Sequence, residues 1–141
     1  METPRTSVDI RSITVADTYS LRHLVLWPDR PLEYVKLPDD ETGQHFGAYV
    51  DSRLVSVISV FFDAGDARFR KFATDTTWQG KGIGTALLRC TIEEAKKAGA
   101  RTIWCDARSS ALPFYQRFGM EAEGEIFHKG GQPYLVMRRT L

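Results

Sequence analysis

The sequence is short of several things, and each shortage removes a class of function. It has two cysteines, Cys90 and Cys105, in 141 residues. They lack metal-ligand spacing, so neither a disulfide framework nor a thiolate metal site is written into the chain, and two buried thiols packing as small apolar groups are expected. No apolar run approaches the roughly 18 residues of a membrane span. Met1 to Arg5 leads into no signal-like apolar core, and the chain reads as cytoplasmic with no membrane partner. Charge of one sign is also lacking. With 19 Lys and Arg against 18 Asp and Glu, no global field points toward nucleic acid. An anionic ligand must therefore be held by local geometry. No repeat, low-complexity tract or linker interrupts the chain, and its length fits one domain over residues 1–141.

What is present is a readable order of elements. Val8 to Ile13 alternates as a half-buried strand does. Thr14-Val15-Ala16-Asp17 has the hydroxyl and acid of a capped helix start. Tyr19, Leu21, Leu24 and Val25 make the apolar face of that helix, and Pro28 and Pro31 end it. Residues 28–44 form a loop with one helical turn near Leu32 to Val35. Phe46 to Val50, Leu54 to Phe62 and Ala67 to Thr74 are strands. The turns between them, Asp51-Ser52-Arg53 and Asp63-Ala64-Gly65-Asp66, are too short for crossovers, so these strands are antiparallel. Gly82 to Ala98 is an amphipathic helix with Leu87, Leu88, Thr91, Ile92, Ala95 and Ala98 inward and Gly99 as its stop. Arg101 to Asp106 follows as a strand parallel to the one before the helix. Ser109 to Phe118 is a short helix capped by Ser109 or Ser110, with Gly119 as its stop. Met120 to Phe127 and Tyr134 to Arg139 close the chain as a hairpin around residues 128–133. The fold class is α/β of the α+β kind: a mixed central sheet, an antiparallel meander and then a parallel pair, flanked by helices.

The strongest signal is Trp78-Gln79-Gly80-Lys81-Gly82-Ile83-Gly84-Thr85, which follows a strand and opens a helix. A helix N-terminus leaves backbone N–H groups unpaired, and its dipole favours an anion. Glycines let a phosphate approach the backbone, and Lys81 can add a local charge. Two familiar phosphate loops do not fit. A P-loop needs a glycine five residues before Gly80-Lys81, where Asp75 stands, and a hydroxyl residue where Gly82 stands. The dinucleotide fingerprint needs its third glycine one residue later than Gly84.

What remains is Gln79-x-x-Gly82-x-Gly84. With Phe69-Arg70-Lys71-Phe72-Ala73-Thr74 before it and the Asp106 to Met120 segment after it, the chain resembles the GNAT superfamily of N-acetyltransferases. The resemblance covers residues 44–141 well and the first third in outline.

The resemblance implies that the strand before the loop bulges and splays from its parallel neighbour, so that the pantetheine arm of acetyl-CoA lies in the gap as an added strand. The three-residue spacing of Phe69 and Phe72 fits such a bulge. Phe72, Ala73 and Thr74 would then face the arm. Gln79, Gly80, Lys81, Gly82, Ile83, Gly84 and Thr85 would hold the pyrophosphate, and Ser110 and Phe114 would complete the cofactor site. Tyr115 stands where the family's tyrosine is assigned to protonate the departing thiolate. Asp106 is a candidate base, with His45, His23, Glu33 or water as alternatives. Arg68, Arg70 and Lys71 occupy positions where relatives often carry acids. Trp27 to His45 and the hairpin tip at His128 to Pro133 are the expected walls of the acceptor site. Trp27 and Tyr34 are expected to anchor a loop there. The implied reaction is acetyl transfer from acetyl-CoA to a primary amine in a ternary complex. The alternative is a non-catalytic acyl-CoA-binding module on the same fold. A homodimer through a sheet edge is compatible with the resemblance.

Overall fold

A computed structural model describes residues 7–141. The stretch read above for a signal core, Met1 to Arg5, lies outside the described residues. The strands are β1 (Asp9–Ile13), β2 (Gln44–Val50), β3 (Arg53–Asp63), β4 (Asp66–Thr74), β5 (Thr102–Arg108), β6 (Glu121–Lys129) and β7 (Gln132–Thr140). The α-helices are α1 (Val15–Leu21), α2 (Ile83–Lys97) and α3 (Leu112–Gln116). The strands form one sheet in the order β1-β2-β3-β4-β5-β7-β6. Every neighbouring pair is antiparallel except β4 and β5. The expected mixed sheet is therefore observed.

Local chemistry accounts for most boundaries. The turns Asp51-Ser52 and Ala64-Gly65 each place both residues at positive φ, the two-residue geometry that matches strand twist. Thr14 and Asp17 cap α1 reciprocally, as their spacing predicts. Helix α2 buries Leu87, Leu88, Thr91, Ile92 and Ala95 against the sheet. Each of its fully buried Leu or Ile side chains contributes roughly 1.5–3 kcal/mol. Gly99 N–H bonds Lys96 O and Ala100 N–H bonds Ala95 O, which closes α2 with a Schellman motif. The helix ends at Lys97, so Ala98 is the exposed cap residue and not part of the inner face.

Three other expectations need correction. Leu24 does not share the apolar face of α1; it is 60% exposed. Helix α1 stops at Leu21, and Arg22–Leu26 wind as a wider π-helical turn, which carries Arg22 inward instead. Neither Ser109 nor Ser110 caps a helix through its side chain. Ser109–Ala111 is a 3-10 turn, and Leu112-Pro113 starts α3, with proline suited to a first helical turn. Finally, β6 and β7 extend to Lys129 and from Gln132, so the hairpin loop is Gly130-Gly131 alone. Both glycines have positive φ, which allows that two-residue turn.

Candidate active site

The site begins where two parallel strands part. Strands β4 and β5 pair at Asp66↔Thr102, Ala67↔Ile103 and Arg68↔Trp104. Beyond that point, among the described residues, they run on without pairing each other, to Thr74 and Arg108. A bulge in β4 turns the strand away. Ser59 pairs Arg70 and Val57 pairs Ala73, so Ile58 alone stands opposite both Lys71 and Phe72. Lys71 takes φ +53 to make the bulge, a conformation that costs a non-glycine residue energy. A cleft of about 1400 Å³ opens in the gap. Backbone groups of β4 on this side lack a strand partner, and such groups call for one.

One face of the cleft is aromatic. Ring centroids lie 5.7 Å apart for Phe69 and Tyr115, 6.1 Å for Phe72 and Phe114, and 5.2 Å for Phe114 and Tyr115. Tyr115 lies in α3 and lines the cleft while only 9% exposed. Burial, with Cys105 beside it, pushes its phenol up from the ordinary value. The group therefore keeps its proton.

The glycine loop forms the end of this face. Asp75 Oδ1 accepts from Thr77 N–H at 3.0 Å, and the Gln79 side chain donates to Thr74 O at 3.0 Å. These bonds tie the loop to the end of β4. Gly80 and Gly82 have φ +74 and +80, and a Cβ on either would meet nothing within 4 Å. Their conformation demands glycine, and the space beside them is cleft rather than protein. Gly82 is the cap residue of α2, and the first intrahelical bond runs from Ala86 N–H to Gly82 O. The N–H groups of Ile83, Gly84 and Thr85 are thus left for another acceptor. The Ile83 side chain is buried in the core, so only its backbone can serve the site. A Cβ on Gly84 would lie 3.4 Å from Phe72 and from Thr74 Oγ1, which shows how tightly α2 starts against β4.

The other face is cationic. In β5, Ile103, Cys105 and Ala107 are buried, and Trp104, Asp106 and Arg108 alternate to the opposite side. Asp106 Oδ2 meets Arg68 at 2.7 Å and Lys129 at 3.1 Å. Arg108 donates to Leu26 O at 2.7 Å and to Tyr134 Oη at 3.3 Å. Arg70 reaches Asp39 at 3.5 Å. Burial first, and then the charges of Arg22, Arg70 and Lys129, push Lys71 down to about 8, with Asp40 opposing. Beside this face, Arg22 is fully buried and holds both Asp40 oxygens at 2.8 Å, with further bonds to Val35 O and Ser59 Oγ. Burial pushes the Asp40 carboxyl up. The Arg22 hydrogen bonds, the Leu37 N–H, the Arg22 charge and His45 outweigh that and hold it below the usual range.

Nearly all the expected site residues line this one cleft. Phe72, Ala73, Thr74, Gln79, Gly80, Gly82, Ile83, Gly84, Thr85, Asp106, Ser110, Phe114 and Tyr115 do so. Lys81 does not; its ammonium sits 5.5 Å over the Trp78 ring. His45 is bonded to Ser59 Oγ and Asp40 O, His23 to Arg30 O, and Glu33 to Lys36, and none of the three lines the cleft. The two expected acceptor walls touch each other. Trp27 and Tyr34 stack edge to face at 5.1 Å, and a Cβ on Gly130 would come within 2.5 Å of Trp27 and 2.8 Å of the Tyr34 hydroxyl. Gly130 is therefore needed for close approach as well as for its φ of +56. Arg89, Lys96 and Arg117 also line the cleft, which sequence reasoning missed because their spacing reads as a solvated helix face.

Comparison with known proteins agrees with this geometry. The acetyltransferase (GNAT) domain family matches residues 28–141. A Bacillus subtilis protein named as the uncharacterized N-acetyltransferase YitI is 28% identical over 95% of this chain and 97% of its own length. Two crystal structures share the fold at low identity. A GNAT family acetyltransferase from Elizabethkingia anophelis with acetyl-CoA bound has a TM-score of 0.76 at 18% identity, covering 95% of this chain and 98% of that one. A Bacillus subtilis acetyltransferase in complex with CoA has a TM-score of 0.74 at 21% identity, covering 97% of this chain and 99% of that one. The matched domain takes in the parted strands, the glycine loop and the helix carrying Tyr115, and the chain belongs to the GNAT family of acetyltransferases and is an N-acetyltransferase.

Proposed function

We propose that this chain folds as one domain and transfers the acetyl group of acetyl-CoA to a primary amine by direct attack within a ternary complex. The observation that carries the reading is the gap between β4 and β5 with free helix N–H groups at one end and a protonated phenol beside it. Bound acetyl-CoA supplies an activated thioester. The β4 backbone at Phe72, Ala73 and Thr74 binds the extended arm as an added strand. The N–H groups of the Gln79 to Thr85 segment hold the pyrophosphate, aided by the α2 dipole. Ser110 and Phe114 flank the arm from α3 and the turn before it.

Tyr115 donates its proton to the sulfur as the carbon–sulfur bond breaks. A backbone N–H near Ala73 or Thr74 stabilises the negative charge that develops on the carbonyl oxygen. Asp106 is the carboxylate of the cationic face. It accepts a hydrogen bond from the incoming ammonium, and water carries that proton away before the amine attacks. The aromatic face keeps water from the thioester.

The test is release of CoA across a panel of amines, together with thermal stability in acetyl-CoA, NAD and ATP. Acetyl-CoA at about a hundred times its dissociation constant is expected to add roughly 2.7 kcal/mol. Stabilisation by NAD or ATP and not by acetyl-CoA would overturn the reading.

A further inference from the structure

The cationic face of the cleft has a charge excess that the transfer chemistry does not use. Arg68, Arg70, Lys71, Arg108 and Lys129 line it. The carboxylates that meet them are Asp106 and Asp39. Asp106 serves both Arg68 and Lys129, and Asp39 reaches Arg70 only at 3.5 Å. Arg108 is held by neutral oxygens, Leu26 O and Tyr134 Oη. Lys71 is the one of the five with no side-chain partner among the described residues.

Lys71 is also the most expensively placed of the five. It stands at the bulge in a left-handed conformation and is half-buried. Its neighbours include the cations Arg22, Arg70 and Lys129, with Asp40 the opposing charge. Crowding like charges in a partly desolvated place is unfavourable unless an anion completes the arrangement. A cleft for a polyamine or another multiply charged cation would be lined the opposite way, since complementary charge sets partner choice.

We propose that the acceptor is an amine carrying an anionic group, a carboxylate or a phosphate, and that Lys71, with Arg70 beside it and Arg108 on the same face of the cleft, binds that group while Asp106 faces the amine. The proposal rests on the acetyl-transfer reading above and adds the substrate class to it. Lys71 brings three ammonium donors to the anion and Arg108 a guanidinium, the two chemistries that proteins use for carboxylate and phosphate. The local excess draws anionic amines into the cleft against an otherwise nearly neutral protein.

The experiment compares glycine with glycinamide and O-phosphoethanolamine with ethanolamine, at pH 7 with saturating acetyl-CoA. Each pair is measured with the wild type, Lys71→Met and Lys71→Arg. The anionic member of at least one pair is expected to have the higher kcat/KM by roughly ten- to a hundredfold, the size of a hydrogen bond to a charged group. That ratio is expected to collapse in Lys71→Met and to return in Lys71→Arg. Preference within the first pair identifies a carboxylate and within the second a phosphate; either supports the proposal. Equal or better use of the neutral members, or an unchanged ratio in Lys71→Met, overturns it. The same four compounds are titrated by calorimetry into the protein saturated with CoA. If none of the four compounds is acetylated, the acetyl-transfer reading is judged by the broader amine panel and the thermal-stability comparison described above. Calorimetry then decides the anion site: tighter binding of an anionic member that Lys71→Met abolishes supports it, and no difference overturns it.

Discussion

The two faces of the cleft are built by different means. The donor face is backbone and rings: three free N–H groups of α2, the unpaired edge of β4, and the aromatic cluster around Tyr115. The proposed acceptor face is charged side chains delivered by β4, β5 and β6. Backbone is generic and can hold a common ligand in many sequences. Side chains are specific, so the acceptor face is where one acetyltransferase differs from another. The same contrast extends below the surface. The donor face rests on α2 and its apolar core, and the acceptor face lies beside the buried Arg22–Asp40 pair.

The largest effect should come from that pair. Asp40→Ala leaves a fully buried guanidinium without its carboxylate and is expected to cost about 3–5 kcal/mol in chemical denaturation. A loss under about 1 kcal/mol, the value of a surface ion pair, would mean that the acceptor face does not depend on it. The same pair gives a pH dependence. The folded Asp40 carboxyl is held below its ordinary value, so its contribution is present above that ordinary value and is lost as pH falls through the folded one.

Tyr115→Phe comes next and probes the donor face. Its kcat is expected to fall about a hundredfold, while KM for acetyl-CoA changes by less than about threefold, since the proton is used only as the sulfur departs. Because the folded phenol is raised, no alkaline loss of rate from Tyr115 is expected below about pH 10. A rate loss in wild type at lower pH that Tyr115→Phe removes would contradict this.

The smallest effect concerns Lys71 and separates binding from stability. Its folded value of about 8 lies below the ordinary 10.5. Below about 8 the charged form carries the full cost of its site, and the cost disappears as pH rises toward 10.5. Lys71→Met is therefore expected to stabilise the free protein at pH 7 by about 1 kcal/mol, a figure reduced for solvent screening. The gap between variant and wild type should close as pH rises through that window. A destabilised variant at pH 7 would show that the ammonium has a partner and is not waiting for one.

How far each face is legible in the sequence follows from the same contrast. Gln79 to Gly84 is contiguous, so its spacing alone distinguishes it from two other phosphate loops. The three-residue step from Phe69 to Phe72 breaks strand alternation and so announces the bulge. Tyr115 is legible only through the resemblance of the Asp106 to Met120 segment to the family. The acceptor face has no such continuity. Lys129 reaches Asp106 across the hairpin, and Arg108 reaches Leu26 across most of the chain. Neither contact has a local signature. The π-helical turn at Arg22–Leu26 is hidden for a related reason. Local periodicity favours a continuing α-helix with Leu24 inside, and burial of Arg22 against Asp40 overrides it.

The central claim is that the donor is held by backbone and not by a lysine. Calorimetric titration of acetyl-CoA into wild type, Gly82→Val and Lys81→Ala tests it most directly. Gly82→Val places a branched side chain at φ +80 in the open space beside the free N–H groups, whereas Lys81 sits over the Trp78 ring and does not line the cleft. The account predicts that Gly82→Val weakens binding about a hundredfold or more, by strain and by blocking approach. Lys81→Ala should weaken it by less than about fivefold, the scale of an exposed charge. The reverse order, with Lys81→Ala severe and Gly82→Val mild, would contradict it.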